Sequence, residues 1–190
     1  MGGEALFRNP IVKALPSVLR LDTRKSGAAD WIGSTFRHAA AEISAARMGS
    51  QALMAKLSEL LFVEAITAYA ATLPEQQTGW LAGLRDPYLA RAMALLHGKP
   101  AHPWTVEELA QGSGLSRSAL AERFVAIIGM PPIQYLATWR LNLAAYELLH
   151  TPKSILQVAQ EVGYDTEAAF SRAFKRVIGS PPATWRRERK

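Results

Sequence analysis

Apolar residues upstream of residue 75 recur at helical spacing in two stretches. The first stretch, 28–47, has one apolar stripe with steps of four, three, four and three: Ile32, Phe36, Ala39, Ile43 and Ala46. This spacing predicts an amphipathic helix. After a break at 48–50, the apolar residues of 51–72 lie around most of the helix circumference, which is typical of a helix buried on several sides. The two stretches together predict a helical hairpin.

Two interpretations of this hairpin are open. It either packs on the rest of the chain or forms the interface of a homodimer through residues 31–72. Two-fold symmetric assembly is the commonest kind of oligomer, and we favour the dimer. Residues 73–80 are predicted to be a linker, and Asp86 and Pro87 are predicted to begin the next domain as helix N-cap and first helical residue. The predicted domains are 1–84 and 85–190.

The chain after this linker contains one pattern twice. FVAIIGMPP at 124–132 and FKRVIGSPP at 174–182 both place a glycine and then two prolines after an apolar helix. Glycine accepts the left-handed conformation that ends a helix, and proline cannot continue one. Upstream of each stretch lies Ala-Gln-x-x-Gly, ending at Gly114 and at Gly163. The repeated unit is a helix, a glycine turn and a second helix, over 105–129 and 154–179.

Capping signals indicate where the helices of each unit begin. Capping boxes, in which a hydroxyl and an acid or amide three residues later satisfy free backbone N–H groups, lie at 105–108 and 154–157. Ser116 is predicted to cap the second helix of the first unit. Either Asp165 or Thr166 is predicted to cap that of the second unit, whose turn is one residue longer.

Residues 132–149 lie between the two units without an internal helix breaker and predict a connecting helix of about 27 Å. The expected fold is all-α, with a helical hairpin followed by two helix-turn-helix subdomains joined by a long connecting helix. A helix-turn-helix presents its second helix to the DNA major groove, although any helical hairpin has similar glycines. Two units on this spacer place their second helices near the separation of about 34 Å between successive major-groove faces. This geometry favours double-stranded DNA as the partner.

Positive charge is concentrated in the second half of the chain. The net charge is +1 over residues 1–84 and +5 over residues 85–190, which together give the +6 of the whole chain. Residues 172–190 alone contain seven cations and one anion. This density favours a polyanion such as nucleic acid, and a solvated basic tail is the alternative interpretation.

The sequence disfavours enzymes and metal sites. There is no cysteine, and there is no motif of a zinc protease, a serine hydrolase or a phosphate-binding loop. The four histidines lack metal-ligand spacing: His38, His97, His102 and His150. We therefore expect no enzyme activity, cofactor or metal. His97 and His150 fall at predicted helix C-termini, where a positive charge is favourable.

Membrane insertion and secretion are not expected either. The longest near-continuous apolar run, 60–73, is interrupted by Glu64 and is shorter than the roughly 20 residues that a membrane span needs. The first ten residues have no basic flank followed by an apolar core, so no secretion signal is predicted. The expected location is cytoplasmic.

The repeated units resemble a known family. The stretches LAQGSGLSRSALAERF and VAQEVGYDTEAAFSRAFKRVIGSPPATWRR are similar to the DNA-binding domain of AraC/XylS-type bacterial transcription regulators, over roughly residues 86–188. The resemblance implies a sequence-specific transcription factor whose two recognition helices read adjacent major-groove segments. It also implies association with the bacterial nucleoid and RNA polymerase as a further partner.

The upstream part resembles the same family less closely. NPIVKALPSVLRL at 9–21 is similar to the end of the cupin-type sensor barrel of one branch of these regulators, and the hairpin is similar to the helices that follow that barrel. The strands that would build most of the barrel are missing from this sequence, so we expect no pocket for a small-molecule effector. An alternative function follows, in which the chain heterodimerises with a full-length regulator and modulates it.

The outward faces of the two recognition helices indicate the DNA-contacting residues. The predicted base-facing residues are Arg117, Ser118, Ala121, Glu122, Glu167, Ala168 and Arg172. Arg172 suits a bidentate contact to guanine, and each glutamate either accepts from cytosine or is only solvated. The predicted phosphate contacts are Ser116, Arg123, Lys175, Arg176, Arg186 and Arg187. Arg140, in the connecting helix, is predicted to be a structural tie between the subdomains.

Overall fold

A computed structural model describes residues 50–74 and 78–188, together with a few single residues between 15 and 41. Within these residues the chain is helical and contains no strand. The helices are α1 (Ser50–Thr72), α2 (Trp80–Arg85), α3 (Pro87–Gly98), α4 (Val106–Ser113), α5 (Arg117–Ile128), α6 (Pro132–His150), α7 (Ile155–Glu161), α8 (Glu167–Ile178) and α9 (Pro182–Glu188). The all-α prediction is confirmed. The chain divides near residue 75 into two compact units.

The first unit contains α1, which confirms the second helix of the predicted hairpin. The helix predicted over 28–47, with its apolar stripe, lies outside the described residues except for five helical positions between 34 and 41. Burial of α1 on several sides stays a prediction, since large apolar side chains of α1 are exposed in the single chain. Leu60, Phe62 and Val63 are 53, 50 and 57% exposed.

The second unit begins at α2. This helix packs against α3 and α5, and the Trp80 indole N–H donates to the Tyr135 hydroxyl at 2.9 Å. Residues 80–84 therefore pack with the helix-turn-helix helices, although the sequence analysis assigned them to the upstream domain. Asp86 caps α3 as predicted, because its carboxylate accepts from the backbone N–H groups of Tyr88 and Leu89, each at 3.0 Å.

Helices α4 and α5 form the first helix-turn-helix. The predicted capping box is present. The Thr105 hydroxyl accepts from the Glu108 backbone N–H, and the Glu108 carboxylate accepts from the Thr105 backbone N–H. Gly114 ends α4 at a φ of 81°, and the Ser116 hydroxyl accepts from the Ala119 N–H at 3.3 Å. The core of this subdomain joins α3, α4, α5 and the start of α6 through Leu89, Met93, Leu96, Leu109, Leu120, Phe124 and Leu136.

Helices α7 and α8 form the second helix-turn-helix. Its capping box is also present, and the open choice of cap for α8 is settled, since the Thr166 hydroxyl accepts from the Ala169 N–H at 3.2 Å. Three residues separate Gly163 from α8, whereas two separate Gly114 from α5. The extra residue therefore lies in the turn, as the sequence offset predicted. This core contains Leu141, Leu148, Val158, Phe170, Phe174, Ile178 and Trp185.

Helix α6 belongs to both cores, with Leu136 in the first and Leu141 in the second. Its 19 residues span about 28 Å. Arg140 confirms the predicted tie between the subdomains. Its guanidinium donates to the carbonyls of Pro100 at 2.6 Å and His102 at 2.9 Å in the loop before α4, and to that of Gly163 at 3.4 Å in the second turn.

Candidate DNA-binding surface

The outward face of α8 carries positive charge. Phe170, Phe174 and Ile178 are buried on the inner side of the helix, and the opposite side exposes three cations: Arg172, Lys175 and Arg176. None of the three forms an ion pair with a carboxylate in the part of the chain that the structure describes. Their charges are therefore available to an external anion.

Smaller and acidic residues surround these cations. Glu167 lies in the first turn of α8, where the helix dipole favours a negative charge, and Ala168 beside it is exposed. Arg172 is thus the one long hydrogen-bond donor among the predicted base-facing positions of α8. The structure places all three of these residues on the exposed surface of the helix.

The arginines of α5 have intramolecular partners. Arg117 lies 3.2 Å from the Glu107 carboxylate of α4, and both side chains are well exposed. Arg123 donates to the Asp86 carboxylate at 2.5 Å and lies over the Tyr88 ring. Since the Asp86 side chain is only 7% exposed, this pair joins the recognition helix to the start of α3. The phosphate contact predicted for Arg123 stays a prediction, and within the chain its guanidinium is paired with Asp86.

The outward face of α5 extends further along the helix than the sequence predicted. Ser118 and Glu122 are exposed and Ala121 is partly exposed. Val125, 46% exposed, completes a stripe at positions i, i+3, i+4 and i+7 with these residues, all on one side of the helix. The base-facing residues predicted on α5 ended at Glu122. The fifty-residue repeat could have found Val125, because it pairs this position with Lys175 of α8.

Two arginines near the C-terminus differ in their environment. The Arg186 guanidinium donates to the carbonyls of Leu148 at 3.0 Å and Lys153 at 2.5 Å. Arg186 is therefore hydrogen-bonded to backbone carbonyls at and just after the C-terminal end of α6. Arg187, one residue later, is exposed. Of the two predicted phosphate contacts in α9, Arg187 is the one whose charge faces outward.

His97 does not act as a cation at the end of α3. Its ring stacks on Trp139 with centroids 4.1 Å apart, and its Nε2 lies 2.7 Å from the Tyr135 hydroxyl. Burial lowers the pKa of His97 to about 4, so the imidazole is neutral near pH 7. The expectation of a favourable charge at this helix end is wrong for His97, because the last turn of α3 is packed against α6.

The described residues contain neither a candidate metal site nor a candidate membrane-spanning helix. No group of His, Asp and Glu side chains among the described residues could hold a metal ion. None of the described helices has the length and apolar content that a membrane crossing requires.

Comparison with known proteins identifies the family. A family model described as a helix-turn-helix domain matches residues 109–188, from α4 to α9, and a cupin model matches residues 3–71. The solved DNA-binding domain of AdpA, a global transcriptional factor in complex with a target DNA, is 31% identical with a TM-score of 0.51 over 54% of this chain and 92% of that chain. The C-terminal domain of AraT, a response regulator from Geobacillus stearothermophilus, is 32% identical with a TM-score of 0.53 over 55% of this chain and 87% of that chain.

The chain belongs to the AraC/XylS-type transcription regulators. A putative AraC-like transcription regulator of Streptomyces lividans is 40% identical over 77% of this chain and 48% of its own length. The regulator AlkR of Acinetobacter baylyi is 34% identical over 95% of this chain and 59% of its own length. The AraC-type chain thus spans about half the length of the curated relatives it matches. These relatives are transcription regulators and not enzymes, as the sequence analysis expected.

Proposed function

We propose that this chain is a sequence-specific DNA-binding transcription regulator whose helices α5 and α8 enter adjacent major-groove segments. Helix α6 supports the proposal because it is built into both subdomain cores and holds the two recognition helices on one frame. A span of about 28 Å, widened by the two subdomains, suits successive groove faces about 34 Å apart.

The observation that carries this proposal is the set of exposed cations on α8 that have no acidic partner among the described residues. We assign Arg172 to a guanine edge, and Lys175, Arg176 and Arg187 to phosphates. The Ser116 hydroxyl is assigned to a phosphate at the start of α5. Arg117, Arg123 and Arg186 are assigned to holding the surface in place, since each already has a partner within the chain.

The remaining base-facing positions contribute less hydrogen bonding. Glu122 and Glu167 are exposed acceptors that suit the amino group of cytosine. Ser118 can donate or accept a single bond, and Ala121 and Ala168 offer only a methyl group. We therefore expect few bases to be read by hydrogen bonds and the phosphate contacts to supply much of the affinity.

Selection of bound duplexes from a random DNA pool, followed by footprinting, tests this function. We expect an enriched sequence and a protected site of two elements about one helical turn apart for each chain. A protected segment limited to one groove would contradict the use of both subdomains. Recovery of unenriched, random DNA would contradict sequence-specific regulation altogether.

We also propose that residues 31–72 form a homodimer interface, with a second copy of α1 as the partner. The support is the exposed apolar group on α1, at Leu60, Phe62 and Val63. Leu60 and Val63 are three residues apart and share one side of the helix, Phe62 lies next to Val63, and contiguous exposed apolar side chains commonly mark an interaction site. The alternative partner is a full-length regulator of the same family, which α1 would bind as a heterodimer.

Native mass spectrometry of the chain, alone and mixed with an intact relative, separates these partners. A dimer of the chain that becomes monomeric in Phe62→Asp supports the homodimer. Lys56→Ala, a change of an exposed residue paired only with Glu59 in the described chain, is the matched control and should leave the dimer intact. A monomer that pairs only with the intact relative would replace the homodimer with the heterodimer.

Transcription regulation further requires RNA polymerase and a location at the bacterial chromosome. We include both in the proposal because the matched relatives are transcription regulators. In vitro transcription from a promoter that carries the selected site tests this step. A change in transcript yield that depends on the site is expected, in either direction, and an unchanged yield would limit the chain to DNA binding.

A further inference from the structure

The first recognition helix has an outward stripe without a cation. Ser118, Ala121, Glu122 and Val125 follow one another at helical spacing on the side of α5 opposite Leu120 and Phe124. Two of the four side chains are purely apolar, and Val125 is 46% exposed. The arginines that flank the stripe are held by carboxylates, Arg117 by Glu107 and Arg123 by Asp86. This leaves Ala121 and Val125, one helical turn apart, as an apolar pair on the helix face beside Glu122.

The repeat provides an internal reference for this stripe. At an offset of fifty residues, Glu122 corresponds to Arg172, Val125 to Lys175 and Ala126 to Arg176. Each cation on the outward face of α8 thus has an uncharged or acidic counterpart on α5. Both helices have a hydroxyl N-cap, a glycine C-cap and a buried phenylalanine at the equivalent position, Phe124 and Phe174, so their outward faces can be compared position by position.

The chemistry of the major groove restricts what such a face can recognise. Guanine is read by long cationic donors and adenine by amide side chains, and the stripe contains neither. The C5-methyl group of thymine is the apolar feature of the groove, and short aliphatic side chains contact it. An exposed valine beside an alanine has the size and polarity for this methyl group.

We propose that α5 reads thymine through its methyl group, with the Val125 and Ala121 side chains as the contacts. This inference rests on the proposed DNA-binding function and makes it more specific. Val125 is then a specificity-determining residue of the first subdomain, and the two subdomains recognise different features. Helix α8 binds through charge and a guanine contact, and α5 selects a half-site that contains thymine.

Replacement of thymine by deoxyuridine in the selected duplex tests the inference, because it removes the methyl group and preserves every base-pairing hydrogen bond. Each thymine of the half-site bound by α5 is replaced in turn, and the dissociation constant is measured at one salt concentration. For the unmodified protein we expect about fourfold weaker binding at one position, as for the loss of one buried methyl group. Deoxyuridine in the half-site bound by α8 should have no comparable effect.

The variant Val125→Ala identifies the side chain responsible. We expect it to bind the thymine duplex several-fold more weakly and to bind thymine and deoxyuridine duplexes nearly equally. Leu156→Ala, which also shortens an exposed apolar side chain but on α7, is the matched control and should keep the full deoxyuridine effect. Circular dichroism of each variant verifies that the fold is unchanged.

The outcomes separate this inference from the function on which it rests. An enriched site whose thymines all tolerate deoxyuridine would overturn thymine reading and leave the DNA-binding function intact. Retention of the full deoxyuridine effect by Val125→Ala would overturn the assignment of Val125 as the contact and would also leave the DNA-binding function intact. Failure to enrich any sequence would remove both the function and the inference.

Discussion

The two helix-turn-helix subdomains share their internal construction and differ in their surfaces. Both begin with a capping box, turn at a glycine of positive φ and bury a phenylalanine at the same position of the second helix. On the outer face, α8 exposes three cations, whereas the arginines of α5 are engaged by Asp86 and Glu107. A duplicated fold can therefore keep its core while its two binding faces acquire different chemistry, since core packing and outward residues occupy opposite sides of one helix.

Substitution of the turn glycines should show the largest difference between the subdomains, in the free energy of unfolding. Alanine at either Gly114 or Gly163 must adopt a left-handed conformation, at a cost of about 1–2 kcal/mol. A Cβ at Gly163 would also lie 2.8 Å from the Ala101 carbonyl oxygen, whereas at Gly114 the nearest atom is 3.6 Å away. We expect Gly163→Ala to lower the free energy of unfolding by about 2 kcal/mol more than Gly114→Ala. Urea denaturation measures both, and equal losses would contradict the crowded second turn.

Glu122 of α5 and Arg172 of α8 occupy equivalent outward positions. Their substitution should show the next largest difference between the subdomains, in DNA binding. Arg172→Ala is expected to weaken binding to the preferred site by about 1–3 kcal/mol and to relax discrimination at one guanine. Arg172→Lys restores the charge without the planar fork, so most of the discrimination should stay lost. Glu122→Ala serves as the comparison on α5, with a smaller effect confined to the other half-site.

Binding to matched and single-base-changed duplexes at fixed salt distinguishes the roles of Arg172. If the loss is uniform over all duplexes and Lys restores it, Arg172 contacts a phosphate and leaves the base-reading set.

The ion pair of Arg123 and Asp86 tethers α5 to α3 and gives the third test, because α8 has no such ion pair within the part of the chain that the structure describes. Asp86→Ala removes the cap of α3 and the partner of Arg123, and should destabilise the first subdomain by about 1–2 kcal/mol. Because the tether positions α5, protection of the half-site bound by α5 should weaken more than that of the other. Asp165→Ala, an exposed aspartate in the second turn, is the matched control. Equal weakening of both half-sites would show that Asp86 supports the whole unit rather than α5.

The salt dependence of DNA binding should differ between variants of the α8 cations and a variant of Arg123, which is paired with Asp86. Lys175→Ala or Arg176→Ala should reduce the slope of log affinity against log salt by about one unit each, because each phosphate contact releases about one counterion. Arg123→Ala should change the slope by much less, since its charge is already balanced by Asp86. Unchanged slopes for the two α8 variants would mean that these cations are only solvated.

Lowering the pH should slightly reduce the free energy of unfolding of the first subdomain, because His97 becomes protonated. Its pKa is lowered by burial to about 4, below the value of about 6.5 for an unfolded histidine, so the unfolded chain binds more protons between these values. The stability contributed by neutral His97 is present above pH 6.5 and is lost as the pH falls towards 4. His97→Gln should flatten the decline of the unfolding free energy over this range.

The sequence by itself determined the helices, their caps and their inward faces. Capping boxes, glycine turns and the spacing of Leu120, Phe124, Phe170 and Phe174 act between residues at most a few positions apart. Such signals are visible in the chain before it folds. The same local spacing was sufficient to place Ser118, Glu122 and Arg172 on outward faces. It also predicted the connecting helix, because its 18-residue stretch has no breaker.

Only the tertiary structure decided which of the cations remain available. Arg123 meets Asp86 across 37 residues, and Arg186 meets the Leu148 carbonyl across 38. Local spacing orients the Cα–Cβ bond of an arginine, but its long side chain reaches a partner that chain folding brings near. His97 became neutral for the same reason, since Trp139 and Tyr135 cover it from another helix. Long-range packing therefore determined the charge of this surface, which the order of residues along the helices did not reveal.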